Sequence, residues 1–287
     1  MSQPPTDHSF QIAGGACGVL LLHGLSGTPL ELRYQALALS RAGFTVHVPQ
    51  LAGHCGTLED LKQSNWFEWA SSAEAALEKL RKSCSTTIVG GLSMGAVLSL
   101  LMAARCKGKV QGVALLAPTL QFDGWAVPWY ARLFNLVNDR WTADRFLFRE
   151  FEPYGIKDRR LRDLVLNALN SDNSAAAGLP GTPGRSMMEF LRMVKHVRGR
   201  LNEIDQPALI VHPREDDRAS LSNAAILQRE LAGLVHTVVL DDSYHVVTID
   251  RQRDLVNEKL VDFALTVAAA ANVKLPVPAI RRQQLRA

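Results

Sequence analysis

The sequence predicts an α/β fold built on a mainly parallel, doubly wound sheet of about six or more strands. Short apolar runs rich in β-branched residues, which are typical of strands buried on both faces, recur along the chain. Between these runs, apolar residues recur every three or four positions, which indicates helices with one buried face. Strands that alternate with helices predict a parallel sheet with helices packed on both sides.

Each predicted strand ends at a polar or turn residue. The six runs are residues 17–24, 44–49, 86–91, 110–118, 207–213 and 236–241. The helical spacing is clearest in three segments, which are residues 69–80, 94–102 and 256–267. Gly43 and Gly233 follow helical segments at the place where a left-handed residue commonly ends a helix.

This alternation stops between about residues 119 and 200. The segment carries 11 of the 19 aromatic residues, and residues 171–184 within it are rich in glycine, proline and serine, as in a loop. We therefore expect residues 119–200 to form a helical cap over one end of the sheet. The predicted core comprises residues 1–118 and 201–270, and residues 271–287 are expected to form a flexible C-terminal tail.

Composition and charge exclude several classes of protein. The 287 residues suffice for one large α/β domain, and the net charge of +4 is not arranged as a basic stripe with aromatics, so nucleic-acid binding is not expected. No apolar run is long enough to span a bilayer, and the N-terminus lacks the pattern of a signal peptide. The four cysteines show no metal-binding spacing, and free thiols fit a cytoplasmic protein.

The stretch Gly91-Leu92-Ser93-Met94-Gly95 lies where a predicted strand becomes a predicted helix. A G-x-S-x-G motif in this context is typical of a nucleophile elbow, a sharp turn that lifts a serine Oγ above the strand ends. Glycine is needed on both sides because neighbouring backbone passes too close for a side chain. The start of the helix adds free N–H groups and a positive dipole where negative charge would develop. We therefore interpret Ser93 as a nucleophile.

A nucleophilic serine needs a base, and the base needs an acid to orient it. After a nucleophile elbow, the acid and then the histidine follow along the chain. Asp216 or Asp217 follows one predicted strand and His245 follows the last, and an open α/β sheet forms its ligand crevice at such strand ends. Asp216 is the preferred acid and Asp217 the alternative. With Asp216 as the acid, Glu215 and Asp217 are expected to face solvent.

An oxyanion that develops on the substrate requires two backbone donors. The N–H of Met94 directly follows the nucleophile. The loop after the first predicted long strand carries the pair His23-Gly24, which makes the N–H of Leu25 the second candidate. His23 itself is expected to brace this loop rather than to act as a base.

Together, these motifs resemble those of the α/β-hydrolase superfamily, in particular bacterial carboxylesterases related to monoacylglycerol lipases and, among them, the small thermostable carboxylesterase group. The matching stretches are "LLLHGLSG", "GLSMG", "REDD" and "SYHVVTID", and the resemblance covers most of residues 17–265. It implies a serine hydrolase that needs no metal or other cofactor. It also implies a nucleophile, an acid, a base and two oxyanion donors, which are Ser93, Asp216, His245 and the N–H groups of Leu25 and Met94.

Three departures from the family pattern bear on substrate choice. The usual Gly-His-Gly reads His54-Cys55-Gly56, and Tyr244 replaces the glycine before the histidine. The insertion that forms the expected cap, residues 119–200, is longer and more aromatic than the small cap of that group. The candidate substrate-binding residues are Tyr244, Trp125 and Trp129, and the aromatics favour an apolar acyl or aromatic substrate. Cys55 is expected to be a free cysteine rather than a second nucleophile.

The resulting hypothesis is a serine hydrolase that cleaves small-molecule carboxylic esters through an acyl-enzyme. The alternative is an acyltransferase or thioesterase, which would use the same acyl-serine with another acceptor or a carrier-bound donor. A non-catalytic binding module would be expected to have lost a residue of the triad, and all three residue types are present in the required order. The sequence leaves the oligomeric state open.

Overall fold

A seven-stranded sheet forms the centre of the molecule. The computed structural model describes residues 6–169 and 178–275. The strands are β1 (Phe10–Ile12), β2 (Cys17–Leu22), β3 (Thr45–Val48), β4 (Thr86–Leu92), β5 (Gly112–Leu116), β6 (Leu147–Arg149), β7 (Gly181–Pro183), β8 (Ala208–Pro213) and β9 (Val235–Leu240). In the main sheet they lie in the order β1-β3-β2-β4-β5-β8-β9, while β6 pairs with β7 separately. Neighbours in the main sheet are parallel except for β1 and β3.

The predicted α/β architecture is confirmed. The six predicted strands correspond to β2, β3, β4, β5, β8 and β9. Strand β1 was not predicted, because a strand of three residues at the edge of a sheet is too short to show a hydrophobic pattern.

Helices cover both faces of this sheet. They are α1 (Arg33–Arg41), α2 (Leu58–Gln63), α3 (Trp66–Arg81), α4 (Met94–Arg105), α5 (Arg140–Ala143), α6 (Arg159–Leu169), α7 (Gly184–Arg198), α8 (Ser222–Glu230) and α9 (Arg253–Ala270). One hydrophobic cluster joins the sheet to α3, α4, α7 and α8, and the other joins it to α1 and α9. Successive residues of β2 point to opposite faces, so Leu20 packs in the first cluster and Leu21 in the second. This burial on both faces explains why the strand is apolar throughout.

The segment 119–200 is not purely helical. It holds a 3₁₀ helix (Trp129–Leu136), α5, α6, α7 and the small sheet of β6 and β7. α7 packs against α3 and α4, and its Phe190 and Met193 belong to the first hydrophobic cluster. The helix α7, although it lies within the expected cap, thus shares a hydrophobic cluster with helices of the predicted core. The division into a core and a cap stays a prediction.

The structure corrects part of the loop expected at residues 171–184. Gly181–Pro183 forms β7 because its backbone pairs with β6, and α7 begins at Gly184. Residues 171–177 lie outside the described residues. In the expected tail, Val273 and Leu275 pack against the cluster that contains α9, and residues 276–287 again lie outside the described part of the chain.

The helices within residues 6–169 and 178–275 include none with both the length and the apolar character needed to cross a membrane.

The two glycines that flank Ser93, Gly91 in β4 and Gly95 in α4, lie very close to the end of β2. A Cβ atom on Gly91 would lie 2.5 Å from the carbonyl oxygen of Leu22, and a Cβ atom on Gly95 would overlap the same oxygen. Close-packed interiors leave no room for such an atom unless the backbone moves. The predicted steric need for glycine at both positions is confirmed.

We expect Gly95→Ala to lower the free energy of unfolding by about 3 kcal/mol or more, because the backbone of β2 would have to shift. Gly199→Ala is the matched control. A Cβ atom there would meet its nearest atom at 3.7 Å, so the change should stay within about 0.5 kcal/mol. Urea denaturation followed by circular dichroism measures both, and equal stability of the two variants would contradict the close approach of α4 to β2.

Candidate active site

Ser93 occupies a strained turn between β4 and α4. Its backbone has φ 56° and ψ −111°, in a region that residues with a side chain rarely adopt. The Ser93 N–H donates to the carbonyl oxygen of Leu116 at the end of β5, at 2.9 Å. The turn therefore has the geometry expected of a nucleophile elbow, with the strand, the helix and the neighbouring strand holding it in place.

Two loops bring an imidazole and a carboxylate to this turn. His245 follows β9, and its Nε2 lies 2.9 Å from Ser93 Oγ. Asp216 follows β8, and its carboxylate oxygens lie 2.9 and 3.0 Å from His245 Nδ1. Because a carboxylate can only accept, Nδ1 donates to Asp216 and Nε2 is left to accept the hydroxyl proton of Ser93. The structure thus brings together the three residues that the sequence analysis selected, and their catalytic roles stay a prediction.

Backbone donors hold the Asp216 carboxylate in place. Its Oδ1 accepts from the N–H groups of Arg218 and Ala219 at 2.8 and 2.9 Å. These bonds leave the carboxylate facing the imidazole, and the side chain is fully buried. The orientation of the acid is therefore fixed by the loop that carries it.

Burial and charge act in opposite directions on the pair. Burial lowers the pKa of His245, but the carboxylate of Asp216 and the charge of Asp217 raise the pKa above its usual value of 6.5. Burial raises the pKa of Asp216, but the imidazole of His245 and its hydrogen bond bring the pKa below the usual value. The pair therefore stabilises the ionised state in which the histidine has taken a proton.

The expectation that Asp217 faces solvent is wrong. Asp217 is fully buried, and its carboxylate accepts from the N–H groups of Gly155 and His245 at 3.0 and 3.3 Å. It also forms an ion pair with Arg218 Nε at 3.2 Å. The sequence gives two adjacent aspartates no distinguishing pattern, whereas the loop turns one toward the imidazole ring and the other toward the backbone that carries it. Glu215 is exposed and pairs with Lys157, as expected of a surface residue.

Two backbone N–H groups, those of Leu25 and Met94, are the candidate oxyanion donors. Neither the N–H of Leu25 nor that of Met94 donates a hydrogen bond to a residue within the ranges that the structure describes. The loop that carries Leu25 passes beside the nucleophile, since a Cβ atom on Gly24 would lie 3.9 Å from Ser93 Cβ. This arrangement supports both residues as oxyanion donors, which stays a prediction.

The loop of Leu25 is braced from both sides. His23 Nε2 accepts the N–H of Leu51 at 3.2 Å, so Nδ1 carries the ring proton and donates to the carbonyl oxygen of Gly24 at 2.9 Å. Burial lowers the pKa of His23 to about 3, so the ring is neutral. The bracing position predicted for His23 is confirmed.

Glu31 braces the same loop and was not predicted from the sequence. Its Oε2 accepts the N–H of Gly24 at 3.1 Å, and burial raises the pKa of this carboxyl to about 7. The available signal was an acidic residue in the first turn of the short 3₁₀ helix (Pro29–Leu32) that follows the loop. Thr119 was not predicted either, because it belongs to no motif, and its Oγ1 lies 3.1 Å from Ser93 Oγ.

The structure brings together two of the three candidate substrate-binding residues. The rings of Trp125 and Tyr244 meet edge to face with centroids 5.5 Å apart, and Trp125 Nε1 donates to the carbonyl oxygen of Glu215 at 3.0 Å. Trp129 lies apart from them, 78% exposed, with Tyr130 as its neighbouring ring. A role for any of the three in binding substrate stays a prediction.

The thiol of Cys55 and the arrangement of possible metal ligands were further candidates for a site. Burial raises the pKa of Cys55 to about 12, which leaves little of the nucleophilic thiolate at neutral pH. Within residues 6–169 and 178–275, no three His, Cys, Asp or Glu side chains are grouped so that they could hold a metal ion.

The opposed effects of burial and of the neighbouring carboxylates on the pKa of His245 can be measured directly. We expect NMR to give a pKa above 6.5 for the His245 imidazole. In Asp216→Asn we expect a pKa below 6.5, because the charge of Asp216 is lost and burial then outweighs the remaining charge of Asp217. Asp241→Asn is the control, because this exposed aspartate lies ahead of the same loop and pairs with Arg214 instead. A wild-type pKa below 6.5 would contradict the dominance of Asp216 over burial.

Comparison with known proteins agrees with the α/β fold. Residues 19–259 match the model of the alpha/beta hydrolase family. The chain is 28% identical over 257 residues to the thermostable monoacylglycerol lipase of Bacillus sp. (strain H-257), a match that covers 88% of this chain and 92% of the relative. It is 24% identical over 260 residues to a carboxylesterase of Bacillus subtilis (strain 168), covering 90% of this chain and 96% of the relative.

Solved structures show the same fold. One from the pair LipS and LipT, two metagenome-derived lipolytic enzymes, has a TM-score of 0.76 and 25% identity and covers 90% of this chain and 97% of its own. The monoacylglycerol lipase of Paleococcus ferrophilus has a TM-score of 0.72 and 16% identity, and the match covers 91% of this chain and 99% of the lipase. As the resemblance of its motifs predicted, the chain belongs to the alpha/beta hydrolase family.

Proposed function

We propose that the protein hydrolyses small-molecule carboxylic esters through an acyl-enzyme on Ser93. The observation that carries this proposal is the continuous hydrogen-bond chain from Ser93 Oγ through His245 to Asp216. The N–H groups of Leu25 and Met94, which donate to no residue in the ranges 6–169 and 178–275, are the candidate donors to the developing oxyanion. The relatives named monoacylglycerol lipase and carboxylesterase support an ester as the substrate class.

Acylation begins at the hydroxyl of Ser93. His245 takes its proton while Oγ attacks the ester carbonyl carbon, and the N–H groups of Leu25 and Met94 donate to the oxygen on which charge develops. His245 then gives the proton to the departing alcohol. Asp216 holds the ring in one tautomer and stabilises the imidazolium that forms in between.

Deacylation repeats these proton transfers with water. His245 takes a proton from water, which attacks the acyl carbon, and returns it to Ser93 Oγ as the acid leaves. These steps use only groups of the chain itself and need no cofactor.

An apolar acyl or aromatic group is the substrate class within this proposal. Trp125 and Tyr244 place two aromatic rings beside the histidine loop, where an apolar group can be buried. A cytoplasmic location is also part of the proposal, and the four cysteines, all free thiols, fit a reducing compartment.

The first test is the release of p-nitrophenol from acyl esters of increasing chain length. We expect turnover with a clear length optimum and a loss of at least about 10³-fold in kcat in Ser93→Ala, because the attacking oxygen is removed. Circular dichroism confirms that the variant is folded. Turnover that survives in Ser93→Ala would contradict the proposal, and a Ser93-dependent burst without turnover would instead indicate transfer to an acceptor other than water.

The pH dependence follows from the raised pKa of His245. The base must be neutral to accept the serine proton, so kcat/KM should fall as the pH drops through a value above 6.5. Because burial raises the pKa of Glu31 to about 7, this carboxyl titrates in the same range. The variant Glu31→Gln distinguishes the titration of His245 from that of Glu31. The fall of kcat/KM at low pH should persist in this variant, because it arises from His245. Loss of that limb in Glu31→Gln would assign it to Glu31.

A further inference from the structure

We propose that Thr119 is a catalytic residue that donates a hydrogen bond to Ser93 Oγ and thereby assists the expulsion of this oxygen during deacylation. This inference rests on the proposed function, since it concerns the breakdown of the acyl-enzyme on Ser93. It concerns a hydroxyl that lies outside the triad and outside every motif of the sequence.

The direction of the hydrogen bond follows from the neighbouring groups. Ser93 Oγ lies 2.9 Å from His245 Nε2 and 3.1 Å from Thr119 Oγ1. Because His245 Nδ1 carries the ring proton, Ser93 donates its only proton to Nε2. Its oxygen can then only accept from Thr119.

Thr119 has one proton and two acceptors for it. The carbonyl oxygen of Ala117 lies 3.3 Å from Thr119 Oγ1, somewhat farther away than Ser93 Oγ. Rotation of the hydroxyl alone can therefore direct this proton either to the carbonyl oxygen of Ala117 or to Ser93 Oγ. As negative charge grows on Ser93 Oγ, the bond to that oxygen strengthens at the expense of the other.

The backbone around Thr119 is held without its hydroxyl. Ala117 adopts a left-handed turn with φ 43°, and its N–H donates to Val211 at 2.8 Å. The N–H groups of Leu120 and Gln121 both donate to Asn223 Oδ1 at 2.8 Å. Thr119 is itself fully buried, so its hydroxyl is preorganised against the nucleophile and is not required to close the loop.

The chemistry of the two half-reactions decides where this bond acts. During acylation, Ser93 Oγ gives an electron pair to the substrate carbon, and a donor on that oxygen does not help. During deacylation, the bond between the acyl carbon and Oγ breaks, its electron pair returns to Oγ, and the proton on His245 Nε2, taken from water, neutralises it. Thr119 keeps its own proton throughout and stabilises the charge on Oγ while this transfer is incomplete.

The test is the pre-steady-state hydrolysis of p-nitrophenyl butyrate by the wild type, Thr119→Val and Thr119→Ser. Valine keeps the branched shape without the hydroxyl, and serine keeps the hydroxyl. We expect Thr119→Val to lower kcat about tenfold, with kcat/KM within about twofold of the wild type. A burst of nearly one p-nitrophenol per active site should appear, because the acyl-enzyme accumulates, and Thr119→Ser should restore kcat.

Three results would overturn the inference. One is a kcat of Thr119→Val within twofold of the wild type without a burst. Another is an equal fall of kcat and kcat/KM, which a merely structural role would produce. The third is wild-type protein without Ser93-dependent hydrolysis, which overturns the proposed function as well and so is distinguishable from the other two. If Thr119→Val does not fold, Thr119→Ala carries the same comparison.

Discussion

The site depends on the close approach of Gly91 in β4 and of Gly95 in the first turn of α4 to the end of β2. The carbonyl oxygen of Leu22 lies against both Gly91 and Gly95, and neither position has space for a Cβ atom. This approach allows the tight turn at Ser93, with its positive φ, to be held between strand and helix. The chain then runs directly from Leu22 into the loop of Leu25. The packing of both glycines against Leu22 therefore positions the candidate nucleophile and one of its candidate oxyanion donors.

Two adjacent carboxylates have different tasks because the loop after β8 turns them apart. Asp216 faces the imidazole ring, whereas Asp217 holds the backbone N–H of His245 and pairs with Arg218. Both charges favour the protonated histidine, and both are buried. The charge of Arg218 acts in the opposite direction and compensates a buried carboxylate that would otherwise be costly. The pKa of His245 is thus the result of a small network rather than of one pair.

The insertion is attached to the loops that carry the site. Asp217 accepts the N–H of Gly155, and Asp250 accepts the N–H groups of both Lys157 and Tyr244. On the other side, Ser26 Oγ lies 2.7 Å from Thr182 Oγ1 in β7. A displacement of the insertion would therefore pull on the histidine loop and on the loop of Leu25. These hydrogen bonds join residues 119–200 to both loops that carry the candidate site.

The sequence by itself determined the parallel α/β sheet, the glycines around Ser93 and the candidates Ser93, Asp216 and His245. These features leave local signals, because buried strands are continuously apolar and a nucleophile elbow needs small residues at fixed spacing. Only the tertiary structure decided that Asp217 is buried, that residues 181–183 form a strand, and that Glu31 and Thr119 reach the site. Their positions depend on contacts between segments far apart in the chain, such as Thr119 with Ser93 and Gly181–Pro183 with β6. No local pattern of residues records such contacts, because the same sequence could face solvent if its distant partner were absent.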